Sequence, residues 1–544
     1  MDSLPQLLQA ALASSRTGPI TTVLTDLVVT AAVATTFSNK QAIGSAASVD
    51  ATSAAAQLGR SCLPQLLPAW SQIAAQTDSL HATAEHLTRA AVRVPSLLAG
   101  DTAVLQAVVE TCLLLASQLS NEGRDSALCC LSVMQVVSSI CAVGDVKRKI
   151  VQPALRQAIL QGHSNVKGVL SLCLESVVSG TDGDCQGWAT EPATLNDDGV
   201  GWEGDEIALY AEQLLESLLQ TFGSHALAVV LPLVEHLLGS SAGGDFKLPR
   251  AGLVAMQYCL SATPISFAPH LAVAMEAALS LSSSSNVRVQ FQAILLLGVL
   301  CETGQETVLE QYGARLWQTL ACAAQSPCTK IAAMACLAMV SYCRGDPSSK
   351  TEIDGERFVV PFLSDVLQAL VAGPLSLELV DSGSVVVKVR AVGAVACLAQ
   401  ASGPEFVSFY SSIMPGLLAC AHLSAGGNYE VSRLKGAAVE AATIVGQSIG
   451  EDHREMFVDD AEQIMRWVLP ILSQSPENDT SGMPLDQLFS ACARIASVMG
   501  EAYAPFLDAV LPRLLSRATG EADVSISVST HKVIRSLVAF DLLS

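Results

Sequence analysis

Apolar residues recur along most of this chain at intervals of three and four, the spacing that places them on one face of a helix. A second pattern is superimposed on the first: a few apolar residues, a proline and an amphipathic run, as in VVLPLVEHLL from Val229. The prolines of its eight copies stand at positions 64, 153, 232, 269, 361, 415, 470 and 512. Because proline is tolerated in the first turn of a helix, we expect each copy to open a helix.

The spacing of these prolines predicts the architecture. Most of the gaps lie near forty-odd residues or twice that value, which is the period of helical hairpins of HEAT or armadillo type. Between them, residues 245–261, 285–302 and 385–400 predict long helices that are apolar on both sides, as expected for helices packed between neighbours. No sustained alternation of period two predicts strands. We therefore predict an all-α protein, an α-α superhelix (HEAT-repeat solenoid) of roughly eleven to thirteen hairpins.

The predicted organisation has a specialised centre. We expect degenerate helical repeats with a linker over residues 1–60, HEAT repeats over 61–180, an acidic loop over 181–206, HEAT repeats over 207–422, and further HEAT repeats ending in a truncated or capping repeat over 423–544.

Composition supports a helical array without membrane insertion. Half of the residues are apolar, yet aromatic residues make up only 5%, and small side chains let layered helices approach closely. The uncharged runs 126–144 and 406–429 are long enough to span a bilayer. A polar stripe in the first and Pro415 with a glycine pair in the second favour helices buried between repeats. The N-terminal residues show no secretory signal.

Cysteine usage indicates a reducing compartment. The chain has 16 cysteines and no CxxC pair. The densest group, Cys322, Cys328, Cys336 and Cys343, has spacings that suit helix faces and not a zinc knuckle. Buried free cysteines of this kind are typical of the cytosol or nucleus.

The charge distribution points to the acidic loop. Positions 168–246 contain no Lys or Arg, and their thirteen carboxylates supply much of the net charge of −21. The centre, 181–206, is the longest stretch without helical periodicity, and such loops are functional or disordered. One interpretation is a solvated loop that keeps an apolar protein soluble. The other is an acidic arm that binds a basic partner, with the two tryptophans as apolar anchors. Its candidate residues are Asp182, Asp184, Trp188, Glu191, Asp197, Asp198, Trp202, Glu203, Asp205 and Glu206.

Four stretches of the chain resemble the importin-β (karyopherin-β) superfamily, in particular the karyopherin-β3 type with importin-5 and importin-4. They are residues 245–261, 285–302, 432–452 and 488–515. The order of acidic loop, amphipathic helix and VVLPLVEHLL also resembles that family. The resemblance covers most of residues 60–520, and the chain looks like the middle of an importin, either a shortened paralogue or an incomplete gene model.

The resemblance implies a function and a set of partners. It implies a transport receptor, shuttling between cytoplasm and nucleus, that carries basic protein cargo through the nuclear pore and releases it on Ran-GTP. The acidic loop of such receptors contacts Ran or basic cargo, and Asp182 to Glu206 match it. Ribosomal proteins, histones and localisation segments are the implied cargo, and nucleoporins are further partners. The resemblance places the chain after the N-terminal repeats that supply the main Ran-GTP contact, which implies that Ran-GTP binding is inherited only in part.

Signatures of catalysis and of cofactor binding are absent from the sequence. It contains no GxxxxGK[ST] or HExxH motif. His81 and His86 fall on different helix faces, so packing or surface roles are favoured over a metal. The carboxylates Asp459, Asp460 and Glu462 are expected to start a helix. Arg288, Lys388 and Arg390 follow turns, where they either touch a partner or make internal ladders between repeats.

The net charge of the chain also distinguishes between nucleic acid and basic polypeptides as partners. A pI near 4.8 and no basic stripe argue against nucleic acid. The same field attracts basic polypeptides and makes their binding salt-sensitive. The leading hypothesis is therefore an importin-type receptor; the alternative is a HEAT scaffold of another cytosolic complex with no transport role. A hydrolase hidden in the repeats is a remote third hypothesis.

Overall fold

The computed structural model of the 544-residue chain describes residue 62, residues 170–178 except 172 and 176, and residues 184–194, 206–239, 245–303, 306–345, 359–378, 381–424, 428–473 and 485–519. Throughout these ranges the regular structure is helical, which confirms the predicted all-α class. The chain divides into two compact units, one formed by 1–183 with 202–270 and the other by 184–201 with 271–544.

The helices of the described residues are numbered in chain order. They are α1 (Cys185–Thr190), α2 (Glu206–Phe222), α3 (Ser224–Gly239), α4 (Lys247–Ala262), α5 (Leu271–Leu281), α6 (Val287–Glu302), α7 (Glu306–Ala324), α8 (Thr329–Gly345), α9 (Leu363–Ala372), α10 (Ser382–Ser402), α11 (Val407–Ala421), α12 (Tyr429–Ser448), α13 (Glu455–Ser473), α14 (Leu485–Met499) and α15 (Ala504–Thr519). A four-residue helical turn, Pro264–Phe267, and a 3-10 turn, Ala268–His270, follow α4.

In the first unit, α4 packs on both α2 and α3. Leu253, Ala255 and Cys259 of α4 are fully buried, as the apolar pattern on both sides of this helix predicts. The carboxylate of Glu212 on α2 is also buried, and it accepts a 3.0 Å hydrogen bond from the Tyr258 hydroxyl of α4. This bond satisfies a polar group that burial would otherwise leave without water.

In the second unit, consecutive helices form hairpins, α5–α6, α7–α8, α9–α10, α11–α12 and α13–α14, followed by α15. The second helices of successive hairpins stack directly on one another from α6 through α8, α10 and α12 to α14. Fully buried alanines such as Ala335, Ala394 and Ala442 keep these helices close. Because each second helix packs only on its neighbours, the core grows along the array, as in solenoid proteins.

Capping residues fix where three of the second helices begin. The Asn286 side chain accepts hydrogen bonds from the backbone of Arg288 and Val289 at the start of α6. Asn428 does the same for α12, and Asp381 forms a capping box at the start of α10. Such caps satisfy backbone N–H groups that have no partner inside the helix. The turn signals of the sequence therefore mark these helix starts correctly.

The recurring prolines lie in or just before first helices of the described hairpins, except at α7, which has none. The expectation that they open a helix is wrong in four described cases. Pro232, Pro415, Pro470 and Pro512 lie inside α3, α11, α13 and α15. All four side chains are exposed. On the exposed face, the backbone carbonyl that loses its partner to a proline can bond to water, so the helix continues through it. Pro269 and Pro361 instead sit in 3-10 turns that lead into helices.

Polar contacts join neighbouring hairpins. Between first helices, the Tyr410 hydroxyl donates to the Asp460 carboxylate at 2.6 Å. Between second helices, Ser341 donates to Glu302 at 2.9 Å, and the Arg494 side chain donates to Thr443 at 2.9 Å. The expectation that Asp459 and Asp460 start a helix is wrong, because α13 begins at Glu455. Asp460 has a structural role in linking two hairpins.

Two helical stretches of the described residues are long and apolar enough to cross a membrane by length and composition, 264–281 and 382–421. The second is mostly buried and is interrupted at Gly403, whose φ of 57° bends the chain from α10 into α11. It includes most of the uncharged run noted at 406–429, whereas the run at 126–144 lies outside the described residues. Both stretches are built from helices of the hairpin array.

The described cysteines are free thiols. Cys328, Cys336 and Cys343 are buried around α8 and Cys322 is exposed on α7, so this group is spread over helix faces as predicted. Burial raises the pKa of the Cys336 thiol to about 12, which makes it unreactive at neutral pH. The described residues contain no group of three or more His, Cys, Asp or Glu side chains that could hold a metal ion. His81, Glu85 and His86 lie outside them.

Candidate functional site: an acidic segment packed on the second helices

The structure describes part of the predicted acidic loop. Residues 184–194, here called the docked segment, contain three of the predicted partner-binding residues, Asp184, Trp188 and Glu191. Glu206 is the first residue of α2. The other predicted residues lie outside the described part: Asp182, Asp197, Asp198, Trp202, Glu203 and Asp205.

The docked segment has its own local structure, although the sequence predicts no helix there. Asp184 caps the six-residue helix α1, and its carboxylate accepts a 2.8 Å hydrogen bond from the Gly187 backbone. A side chain at position 187 would collide with that carboxylate, so glycine is required for this cap. The Thr190 hydroxyl donates to the Gly187 carbonyl at 2.9 Å. These contacts fix the backbone that carries Trp188, whose indole packs on α6.

Trp188 is buried against the chain itself. Its ring meets the ring of Phe291 on α6 edge to face, with centroids 5.3 Å apart. Two cations flank the indole: the Lys330 nitrogen lies 4.5 Å from the ring centroid, and the Arg288 guanidinium carbon lies 5.6 Å from it. Both distances fall within the range of cation–π attraction, which grows when the cation is removed from water. Arg288 and Lys330 are both only 5% exposed.

Hydrogen bonds and an ion pair continue this contact on both sides of the indole. The Lys330 ammonium pairs with the Glu191 carboxylate at 3.0 Å. The Arg288 guanidinium donates to the Asp184 carbonyl at 3.5 Å, and the Ala193 backbone donates to the Thr329 hydroxyl at 3.1 Å. The docked segment therefore neutralises part of a cationic surface on α6 and α8.

The end of the docked segment reaches a third hairpin. Ala193 lies in an apolar cluster with Ala332, Ala333, Val386 and Val387. Gly383 at the start of α10 leaves room for this approach, because a Cβ there would lie 3.0 Å from the Cβ of Pro192. The docked segment thus crosses the beginnings of α6, α8 and α10.

The sequence identified only one side of this arrangement. Trp188 was expected to anchor a partner, and here the chain's own α6 and α8 cover it; its role towards a partner stays a prediction. Arg288 makes an internal contact, as one of the two alternatives for it proposed. Lys330, Phe291 and Thr329 were missed. A signal for Lys330 was present, since Cys328-Thr329-Lys330 follows a turn in the same way as Asn286-Val287-Arg288.

The side chains of the site are suited to binding a peptide segment. It presents cations, an aromatic face and a hydroxyl, and the groups that meet them are an indole, a carboxylate and a backbone amide. These contacts select the charge and shape of a peptide segment.

Comparison with known proteins agrees with this architecture. The chain is 23% identical over 368 residues to importin subunit beta-3 of Saccharomyces cerevisiae, a match that covers 67% of the chain. The chain is therefore similar to an importin over two thirds of its length. A second relative is a probable importin-5 homolog of Dictyostelium discoideum, 30% identical over 124 residues, or 23% of the chain. The karyopherin-β3 resemblance of the sequence is thereby confirmed. No family model matches the chain.

Solved structures of Kap121p show the same fold. Kap121p bound to Ste12p superposes over 99% of the chain with a TM-score of 0.73 at 16% identity. Kap121p is also solved bound to Nup53p, with a TM-score of 0.71, and bound to RanGTP, with a TM-score of 0.68. The HEAT-repeat solenoid predicted from the proline period is confirmed. The chain spans about half of the length of Kap121p and 31% of that of importin subunit beta-3.

Proposed function

We propose that the chain is an importin-type nuclear transport receptor that binds basic protein cargo for import through the nuclear pore, with release governed by Ran-GTP. The observation that carries this proposal is the match to importin subunit beta-3 over two thirds of the chain. The structures of Kap121p support it, because a protein of this fold is seen bound to Ste12p, to Nup53p and to RanGTP. The proposed receptor is not an enzyme and shuttles between cytoplasm and nucleus.

Electrostatics supports basic cargo. The net charge of −21 gives the whole chain a field that speeds the approach of basic polypeptides and weakens with salt. Ribosomal proteins, histones and basic localisation segments have the required charge. Three of the loop's acidic and aromatic residues lie in the docked segment, so the carboxylates of the remainder are our candidates for cargo contact: Asp182, Asp197, Asp198, Glu203, Asp205 and Glu206.

A HEAT scaffold without a transport role is the alternative, and Ran distinguishes the two. The full chain is immobilised, loaded with a basic cargo such as a histone, and washed with Ran locked in its GTP form. We expect Ran-GTP to bind and to elute the cargo, whereas Ran-GDP leaves it in place. Cargo that stays bound with either form, together with no retention of Ran, would favour the scaffold.

The acidic loop is tested separately. Replacing Asp197, Asp198, Glu203 and Asp205 by Asn or Gln is expected to weaken cargo binding and to reduce its dependence on salt. The matched control replaces four exposed carboxylates away from the loop, Glu451, Asp452, Glu455 and Asp459, and so makes the same change of net charge. Equal affinities for both variants would leave the loop only a role in solubility.

A further inference from the structure

The surface beneath the docked segment has the composition of a peptide-binding site. Arg288 and Phe291 come from the first turns of α6, and Thr329 and Lys330 from the start of α8. These four residues are here called the α6–α8 site. Arg288, Phe291 and Lys330 contact the side chains of Trp188 and Glu191, and Thr329 contacts the backbone of Ala193. They belong to the second helices, whose backbones are held in place by the stack of the array.

Each part of the α6–α8 site matches one feature of the bound sequence. The cations and Phe291 take an aromatic ring, which Trp188 supplies. Lys330 pairs with a carboxylate three residues after that aromatic residue, which is Glu191. The Thr329 hydroxyl takes a backbone N–H two residues further on, at Ala193. The recognised pattern is therefore an aromatic residue, a carboxylate three positions on, and an extended end with small side chains.

The charge of the α6–α8 site selects an acidic ligand. Arg288 and Lys330 are both buried under the docked segment, and buried charges require opposite charge or hydrogen-bond acceptors close by. A basic cargo segment would meet like charge here. The site thus differs in chemistry from the cargo surface of the proposed function, although the chain as a whole is acidic.

The bound segment can be exchanged. Its helix has only six residues, far below the length at which a helix is stable by itself, so its conformation depends on the contacts with the surface. The Glu191 side chain is 64% exposed, which leaves its ion pair open to competition from solvent or another carboxylate. The covalent tether gives the segment an effective concentration on the order of millimolar, which a competing peptide must overcome.

We propose that the α6–α8 site is a binding site for an acidic, aromatic-anchored peptide of a partner protein, and that the docked segment is its resident occupant. A partner peptide that carries the same pattern binds when the resident segment leaves. The apparent affinity of the site is reduced by the fraction of molecules in which the resident segment fills it.

A peptide in trans tests this inference on the full chain. The probe is a fluorescein-labelled peptide of residues 184–194, with serine in place of Cys185, followed by fluorescence anisotropy. Trp188→Ala removes the resident anchor, and we expect this variant to bind the probe at least about tenfold more tightly than the wild type. Glu191→Lys, which changes an exposed side chain and places like charge against Lys330, is expected to act in the same direction. Glu191→Lys replaces Trp188→Ala in the experiment if Trp188→Ala fails to fold.

Reversing the charge of Lys330 tests directly whether the probe binds at the α6–α8 site. Adding Lys330→Glu to Trp188→Ala is expected to lower probe affinity at least about tenfold, whereas Lys435→Glu, at a half-buried lysine on α12, leaves it unchanged. Probe affinities that are equal in wild type, Trp188→Ala and Glu191→Lys would overturn the inference. Tighter binding of a basic localisation peptide at the same site, with the same response to Lys330→Glu, would overturn it too. Binding of a basic cargo, measured in parallel, reports on the proposed function independently.

Discussion

The ammonium nitrogen of Lys330 lies 4.5 Å from the centroid of the Trp188 indole, although the two residues belong to distant parts of the sequence. The same nitrogen pairs with Glu191 at 3.0 Å, and the Lys330 side chain is only 4% exposed. One buried cation therefore holds both an aromatic ring and a carboxylate of the docked segment. Because of these two contacts, we expect removal of the Lys330 charge to weaken the packing of the docked segment more than it affects the rest of the protein.

Lys330→Met keeps the apolar stem and removes the charge. We expect the docked segment to lose about 1–2 kcal/mol of local stability, from a desolvated cation–π contact and a partly exposed ion pair. Hydrogen exchange of the backbone amides of residues 187–191 and 193 measures this loss. Lys435→Met on α12 is the matched control and should leave these amides unchanged. Equal exchange in both variants would show that the charge of Lys330 does not hold the segment.

Glu212 predicts a pH dependence of stability in the first unit. Burial raises its pKa, while Arg250 and the hydrogen bond from Tyr258 oppose the shift. The folded state therefore holds this proton more tightly than the unfolded chain does, and the associated stability is present below the unfolded pKa and is lost as pH rises through the folded pKa.

We expect Glu212→Gln to remove this loss and still to accept the hydrogen bond from Tyr258. The free energy of unfolding of the variant should rise relative to wild type as pH increases from about 4 to 7. Urea unfolding at a series of pH values measures the difference, and Glu216→Gln on the same helix is the control. A difference between Glu212→Gln and wild type that is constant over this range would contradict the assignment.

Two helical glycines should respond in opposite directions to alanine. A Cβ at Gly446 of α12 would collide with the ring of Phe457, which is fully buried on α13. We expect Gly446→Ala to destabilise the protein by about 1–3 kcal/mol through overpacking. A Cβ at Gly393 of α10 meets nothing within 4 Å, so Gly393→Ala should stabilise it by about 0.5–1 kcal/mol. Thermal unfolding of the two variants measures both effects, and a stabilising Gly446→Ala would contradict the close packing of α12 on α13.

The hydrogen bond from Tyr410 to Asp460 couples two hairpins. Tyr410→Phe and Asp460→Asn are expected to destabilise the protein individually, and the double variant by less than their sum. We expect a coupling energy of about 1 kcal/mol, the usual net contribution of such a bond. A double-mutant cycle by urea unfolding measures it. Strict additivity would mean that the bond contributes nothing between α11 and α13.

The repeat architecture could be predicted because it is encoded locally. Caps such as Asn286 and runs such as 245–261 determine a helix from neighbouring residues alone. The exact residues at which helices begin were harder to predict from the sequence. Pro232 and Pro470 appear to a local rule as helix openers, and only their exposed position in the packed array shows why the helix passes through them.

The sequence predicts the residues of the docked segment but not the helix residues on which they pack. The acidic residues and Trp188 stand out in the sequence because they interrupt a charge-poor helical pattern. Their counterparts Arg288 and Lys330 are single basic residues at the starts of two different helices. Nothing local indicates that a segment 104 to 139 residues earlier packs on them, since that contact depends on the stacking of α6 on α8.

Transport itself tests the central claim most directly. Permeabilised cells depleted of their own receptors are supplied with the full chain, Ran, an energy source and a fluorescent basic cargo, and nuclear fluorescence is followed over time. We predict that cargo accumulates in nuclei only when both the chain and Ran-GTP turnover are present, and that accumulation falls with salt. Cargo that binds the chain but remains outside the nuclei at every concentration of the chain would contradict an importin function.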